Sequence, residues 1–234
     1  MELIQIQNYD DFLRALMEAG FSASGGGSEG FSLLPWGWAD EPPYETPVRW
    51  HTEDKDTDPW AWRLRVVEEP QGIAYGKIFS KKMGFVTKAW VPYFLAARRG
   101  GKNFEEAYMD GTISHYAKRI YDVIEANGAV AVHDLKPQMG FVKEDKAVFD
   151  RSLVELQMKM YITVSGSRQR VSAKGEAYSW ASTAFCTTEV FWGDEVFAQA
   201  NAIDPNEAME VLMKRVLELN PMADMKKARK FILG

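Results

Sequence analysis

Ser114-His-Tyr-Ala-Lys-Arg-Ile-Tyr-Asp-Val-Ile-Glu-Ala-Asn-Gly128 opens the stretch on which the fold reading turns, and Tyr161-Ile-Thr-Val-Ser-Gly-Ser-Arg-Gln-Arg-Val-Ser172 closes it. Ser114 is a good N-cap, because its hydroxyl accepts a free backbone N–H of the first helical turn. Ile120, Val123 and Ile124 then recur on one helical face, and Gly128 stops the helix. Ala129-Val-Ala-Val132 reads as a short apolar strand. His133-Asp-Leu-Lys136 opens a short helix that Pro137 and Gly140 interrupt. From Lys143 to Met160 the apolar positions Phe149, Leu153, Leu156 and Met160 return at intervals of three and four, the pattern of a helix with one buried stripe. Tyr161–Val164 reads as a strand, Ser165-Gly-Ser-Arg168 as a turn, and Gln169–Ser172 as the returning strand.

Helix, strand, helix, helix, strand, turn, strand is the winged-helix plan, in which the last helix enters a groove of duplex DNA and the hairpin lies beside it. The stretch from Ser114 to Thr188 is therefore expected to be a winged-helix module. Upstream, Asn8 caps a helix over 8–20 with Asp10 and Asp11 at its positive end. Residues 22–48 carry Gly25-Gly-Gly27, Pro35, Pro42, Pro43 and Pro47, which is loop chemistry, and a loop with Trp36, Trp38 and Tyr44 is expected to pack down. Asp58-Pro59 looks like a helix start, and Pro70-Gln-Gly72 like a turn. Ile73–Phe79 and Gly84–Val86 read as strands around a turn at Ser80–Met83. A helix follows through Phe94 to Arg99, and Asn103 caps a short one. Downstream, Pro205–Asn220 and a last basic segment, Lys226-Lys-Ala-Arg-Lys230, read as helices. The whole is expected to be α+β, mostly helical, with winged-helix modules and short β-hairpins. Residues 1–111 form a Trp-rich α+β region in the manner of a degenerate winged helix, 112–192 the winged-helix module, and 193–234 helices packing on the same body.

With 234 residues, 46% hydrophobic and 26% charged, the chain can bury a real core and is not expected to be disordered. Its net charge of −5 argues against tight nonspecific nucleic-acid binding by the whole surface, but leaves room for a local basic face. One cysteine, Cys186, excludes an internal disulfide framework and fits a reducing compartment; its apolar setting suggests a buried thiol. Met1-Glu-Leu-Ile-Gln5 lacks the basic and apolar runs of a signal peptide, and no stretch approaches a membrane span, so a cytoplasmic protein with no membrane partner is expected.

The basic groups of the expected module are Lys136, Lys143, Lys146, Arg151, Lys159, Arg168, Arg170 and Lys174. Arg168 and Arg170 fall at the expected hairpin tip, where a wing reaches phosphates, although Glu144, Asp145, Asp150 and Glu155 interleave on the helix. Trp50, Trp60 and Trp62 with Arg63 offer a stacking platform for a base, or packing against the Pro-rich loop. His51 with Asp54, Asp56 and Asp58 could activate a water, or Asp58 could simply cap a helix. The acidic spacing is not a calcium loop, since Pro59 and Arg65 stand where glycine and glutamate are required. No phosphate-binding glycine loop, dinucleotide fingerprint, His-Glu-x-x-His or nucleophile elbow is present, and no metal or cofactor is expected.

Trp50-His-Thr52, Asp58-Pro-Trp-Ala-Trp-Arg63, Tyr75-Gly-Lys77, Leu95-Ala-Ala-Arg-Arg99, Ala117-Lys-Arg-Ile-Tyr121 and Glu155-Leu-Gln157 together resemble bacterial proteins described as related to AlkZ, over most of the chain. AlkZ is a DNA glycosylase built from tandem winged helices. The resemblance implies a duplex-DNA partner and, for an enzyme, N-glycosidic hydrolysis of an alkylated base. The catalytic signature of AlkZ enzymes, Gln–apolar–Gln or Asp, is matched by Gln5-Ile6-Gln7, so that Gln5 or Gln7 would position water. The alternative is a non-catalytic winged-helix scaffold that binds a small molecule or protein through its Trp-rich half.

Overall fold

Asn8 starts the first helix as its side chain dictates. Its Oδ1 accepts the Asp11 N–H at 2.9 Å. The computed structural model describes residues 4–26, 30–69, 72–171, 174 and 176–234. In it α1 (Tyr9–Ala19) ends at Gly20, with φ +93°. Glycine is required there twice over, since a Cβ would meet the Trp90 indole at 2.1 Å. Strand β1 (Phe21–Ala23) follows, then a long loop to Asp58. Helix α2 (Pro59–Glu68), strands β2 (Ile73–Phe79) and β3 (Lys82–Thr87), and helices α3 (Val91–Arg99) and α4 (Phe104–Met109) complete the first half.

The second half opens with α5 (His115–Asn127), capped by Ser114, and β4 (Ala129–Ala131). Helix α6 (Val132–Gln138) runs through Pro137, and a 3-10 turn at Lys143–Asp145 leads into α7 (Lys146–Met158). Strands β5 (Ile162–Val171) and β6 (Ala177–Thr187) form a long hairpin, and α8 (Thr188–Trp192), α9 (Asp194–Asn201), α10 (Pro205–Leu219) and α11 (Met225–Leu233) close the chain. Both sheets are antiparallel, ordered β1–β3–β2 and β4–β6–β5. Each follows one plan: a helix before the first strand, a helix before the second, and the third strand in the middle.

The α+β class stands, and the hairpin differs from the expectation. Arg168 and Arg170 are not at a tip. Both lie within β5, and the returning strand is Ala177–Thr187, not Gln169–Ser172. The string Ser165-Gly-Ser167 mimics a turn, but the β5–β6 register shifts between Val164 and Gly166, so this glycine marks a bulge inside a strand. Strand β1 lies in what reads as loop. The expected turn residues Pro70 and Gln71, with Gly27, Ser28, Ser172 and Met1–Leu3, lie outside the described residues.

One apolar cluster joins Phe12, Trp62, Tyr75 and Phe85 of the first half to Phe149, Leu156 and Phe185 of the second, so the interior is continuous across residues 111 and 112. A second cluster packs Phe21, Phe94 and Phe231 against Leu212 and Val216. Polar ties cross the same boundary: the buried Gln157 accepts the Lys77 N–H at 2.9 Å and donates to Leu153 O at 2.9 Å. Among the described residues no helix is long and apolar enough to cross a membrane.

Arg98 ties three further elements together. Its guanidinium donates to the carbonyls of Ile78 (2.9 Å), Met158 (2.7 Å), Ile232 (2.6 Å) and Phe231 (3.4 Å). Replacing it with alanine strands buried acceptors that each lose a charge-assisted bond. Arg98→Ala is expected to cost at least about 3 kcal/mol, or about 6–12 °C in melting temperature for a chain of this size, in thermal unfolding. A loss below about 1 kcal/mol would show that water replaces the guanidinium.

Candidate nucleic-acid interface

A cleft of about 790 Å³ opens between the two halves. One wall is α2 and the β2–β3 hairpin, the other is α7 with the inner parts of β5 and β6, and Leu233 and Gly234 close one end. Its floor is apolar, with Tyr75, Met83, Leu153, Val164 and Phe185. Its charged lining is Arg63, Lys77, Lys81, Arg151 and Lys159 against Asp150 and Glu155. Both carboxylates are engaged. Asp150 pairs with Lys146 at 2.8 Å, and Glu155 accepts the Ser114 N–H at 2.9 Å and the Ser114 hydroxyl at 2.7 Å. An acidic protein thus presents a positive cleft, which attracts anions more strongly than the same charges spread over a convex surface.

The cationic surface continues past the closed end. Lys226, Lys230 and Leu233 share one face of α11 by their spacing, and the Ser80 hydroxyl donates to Lys230 O at 3.3 Å, holding the β2–β3 turn against that helix. On the other side, β5 and β6 project as an arm beyond Gly166. Arg168, Arg170 and Val171 are exposed there, with Lys174 at the turn. Tyr178 lies opposite Arg170, and Trp180 is 91% exposed. The register passes from Arg168 opposite Ser182 to Arg170 opposite Tyr178, so β6 bulges where Trp180 sits, and bulges re-aim side chains in this way.

A family profile described as AlkZ related matches residues 6–233. The chain belongs to the AlkZ-related family. Comparison with curated proteins and with solved structures gave no match.

The sequence candidates of this AlkZ-related chain fall in several places. Gln5 is exposed, and Gln7 donates its amide to Glu45 O at 2.9 Å; neither lines the cleft. Asp58 is 1% exposed and caps α2. Its carboxylate accepts the N–H groups of His51 (3.0 Å), Glu53 (3.0 Å) and Trp60 (2.8 Å), which fixes a loop where His51 and Glu53 take positive φ. His51 is exposed and lies on the Trp60 ring at 4.9 Å. Trp60 is half-exposed and carries the Arg63 guanidinium on its face at 3.6 Å. Trp62 is wholly buried, stacked on Phe12 at 5.1 Å, and so has no face open to a base. Trp50 is half-buried, close against Gly25.

Lys143, in the 3-10 turn, and Lys146, at the start of α7, are exposed, and Lys136 lies over the Phe141 ring at 4.7 Å; none of the three lines the cleft. Arg168, Arg170 and Lys174 share the arm. Among the described residues no group of three or more His, Cys, Asp or Glu side chains has metal-binding geometry. Burial pushes the Cys186 thiol up to about 11, so it is neutral at physiological pH. Sequence reasoning missed Lys77, Lys81, Tyr178 and Trp180. The last two carried a usable signal, since Tyr178, Trp180 and Ser182 alternate with small residues.

Asp58→Ala removes a helix cap and leaves three N–H groups without their acceptor. Denaturant unfolding is expected to show a loss of about 2–4 kcal/mol. A loss of a few tenths would mean that the loop over 51–58 re-forms without the carboxylate.

Proposed function

We propose that this AlkZ-related protein binds duplex DNA through the cleft and the adjoining arm, and that each half is a winged-helix module. The observation that carries the reading is the charge inside the cleft: Arg63, Lys77, Lys81, Arg151 and Lys159 face a space whose two carboxylates are already engaged. The repeated strand order, third strand in the middle, supports tandem winged helices. In the second module α7 is the helix that would face DNA, and its exposed Arg151 and the half-exposed Lys159 just after it line the cleft.

The arm would follow the backbone with Arg168 and Arg170, while Trp180 and Tyr178 offer rings for stacking where bases are unpaired. The family suggests a link to DNA repair, a role that would be carried out in the cytoplasm. Gln157, Asp150 and Glu155 are the cleft's amide and carboxylate groups, and all three are occupied. The cleft therefore supports binding ahead of base excision, and Gln5 and Gln7 lie outside it.

Fluorescence anisotropy with a labelled duplex over a salt series tests the reading. Wild-type protein is expected to bind tighter than ~1 μM at physiological salt, below the roughly 1–100 μM usual for nonspecific binding. Arg168→Ala, Arg170→Ala is expected to weaken binding on every sequence and to make the log K against log salt slope shallower by about two units, one per lost phosphate contact, without loss of thermal stability. An unchanged slope removes the arm from the interface; no wild-type binding at low salt removes DNA as the partner.

A further inference from the structure

Arg63 stands apart from the other cations of the cleft. It is half-buried, and its Nε is shut off from solvent without a hydrogen-bond partner. Buried charges are normally paired, because desolvation of an unpaired ion is costly. Here burial lowers the basicity of the guanidinium, and Asp58 and Tyr75 oppose this only through space. Asp58 is turned to the loop instead, where its oxygens hold the N–H groups of His51, Glu53 and Trp60. What Arg63 does touch is the face of Trp60 at 3.6 Å. That contact holds the guanidinium plane in place without using its donors, so the fork is oriented in advance for a ligand.

The surroundings narrow the ligand. A guanidinium fork matches a carboxylate or a phosphate bidentately. Lys77, Lys81, Arg151 and Lys159 add positive charge around the same space and outnumber Asp150 and Glu155, so a doubly charged phosphate is favoured over a single carboxylate. The apolar floor of Tyr75, Met83 and Phe185 suits a flat ring. About 790 Å³ lies within the roughly 300–1,000 Å³ usual for a site that encloses one small molecule.

We infer that the cleft is a receptor for a single nucleoside 5′-phosphate, with the phosphate on Arg63 and the base against the wall of Tyr75, Met83 and Phe185. The nucleotide is either free or the 5′-phosphorylated end of a strand. The inference rests on the cleft that the DNA reading uses, but not on the arm.

Calorimetric titration of each of the four deoxynucleoside 5′-monophosphates, with the matching nucleosides alongside, is the test. The monophosphate of at least one base is expected to bind about tenfold tighter than its nucleoside, and Arg63→Gln to reduce it to the nucleoside's affinity while leaving the nucleoside unchanged. The unsubstituted protein gives a second readout: labelling with phenylglyoxal, followed by mass spectrometry, should show Arg63 protected by the monophosphate and not by the nucleoside. A strand with a 5′-phosphate that competes better than the same strand with a 5′-hydroxyl identifies a strand end as the source; equal competition identifies the free nucleotide. Equal affinity for monophosphate and nucleoside, or Arg63 labelled at the same rate with the monophosphate bound, overturns the inference. Were salt-dependent duplex binding to survive that result, only the nucleotide site would fall; were duplex binding absent too, both readings would fall together.

Discussion

The guanidinium of Arg98 decides where the walls of the cleft stand. It has no carboxylate partner and instead donates to carbonyls at the end of β2, at the last residue of α7 and near the end of α11. Burial alone pushes Arg98 down to about 9, and the carbonyl dipoles that surround it hold the proton in place. Each of these three elements carries part of the site. Strand β2 brings Lys77, α7 brings Arg151 and is followed directly by Lys159, and α11 brings Leu233 and the stripe of Lys226 and Lys230. A hydrophobic side chain at 98 could fill the space, but it could not satisfy helix-end carbonyls from two helices at once. The second tie, Gln157 on the Lys77 N–H, fixes the same two walls at the neighbouring residue of each.

Local chemistry was legible and distant pairing was not. Asn8, Asp58, Asn103 and Ser114 each act as the cap that their position suggests, because a cap is an interaction within about four residues. Strand β1 is three residues long and exists through its pairing with β3, about sixty residues away, so nothing local announces it. The hairpin arm was misjudged for a related reason. Ser165-Gly-Ser167 has the composition of a turn, and only the pairing with β6 shows that the strand continues past it through a bulge. The positive arm could be seen in part, since Arg168, Arg170 and Lys174 are close in sequence. The cleft could not, because its charges come from residues 63, 77, 81, 151 and 159, on elements that meet only in the folded chain.

The two halves share a strand plan without sharing a sequence pattern. In the first, the long loop over 30–58 stands between the first strand and the next helix, where the second has α6 and a 3-10 turn. That loop is not idle. It buries Trp36, its Tyr44 hydroxyl accepts the Ile6 N–H at 2.9 Å, and Asp58 gathers its end into the cap of α2. The result is that α2 presents Trp60 and Arg63 on one side and buries Trp62 on the other, so a single helix serves both core and cleft. The net charge of −5 then has a simple meaning. The acidic groups lie outside the cleft or are engaged, and the charge that a ligand meets is positive.

Hydrogen exchange read by mass spectrometry, with and without a duplex, bears most directly on the claim that the positive cleft is the nucleic-acid face. The account predicts slower exchange on binding at residues 77–83, 146–159 and 226–233, the three elements that Arg98 ties together, along with the arm over 167–171. Slowing confined to the Trp-rich loop over 36–58, with the cleft elements unchanged, would contradict it and place the ligand outside the cleft.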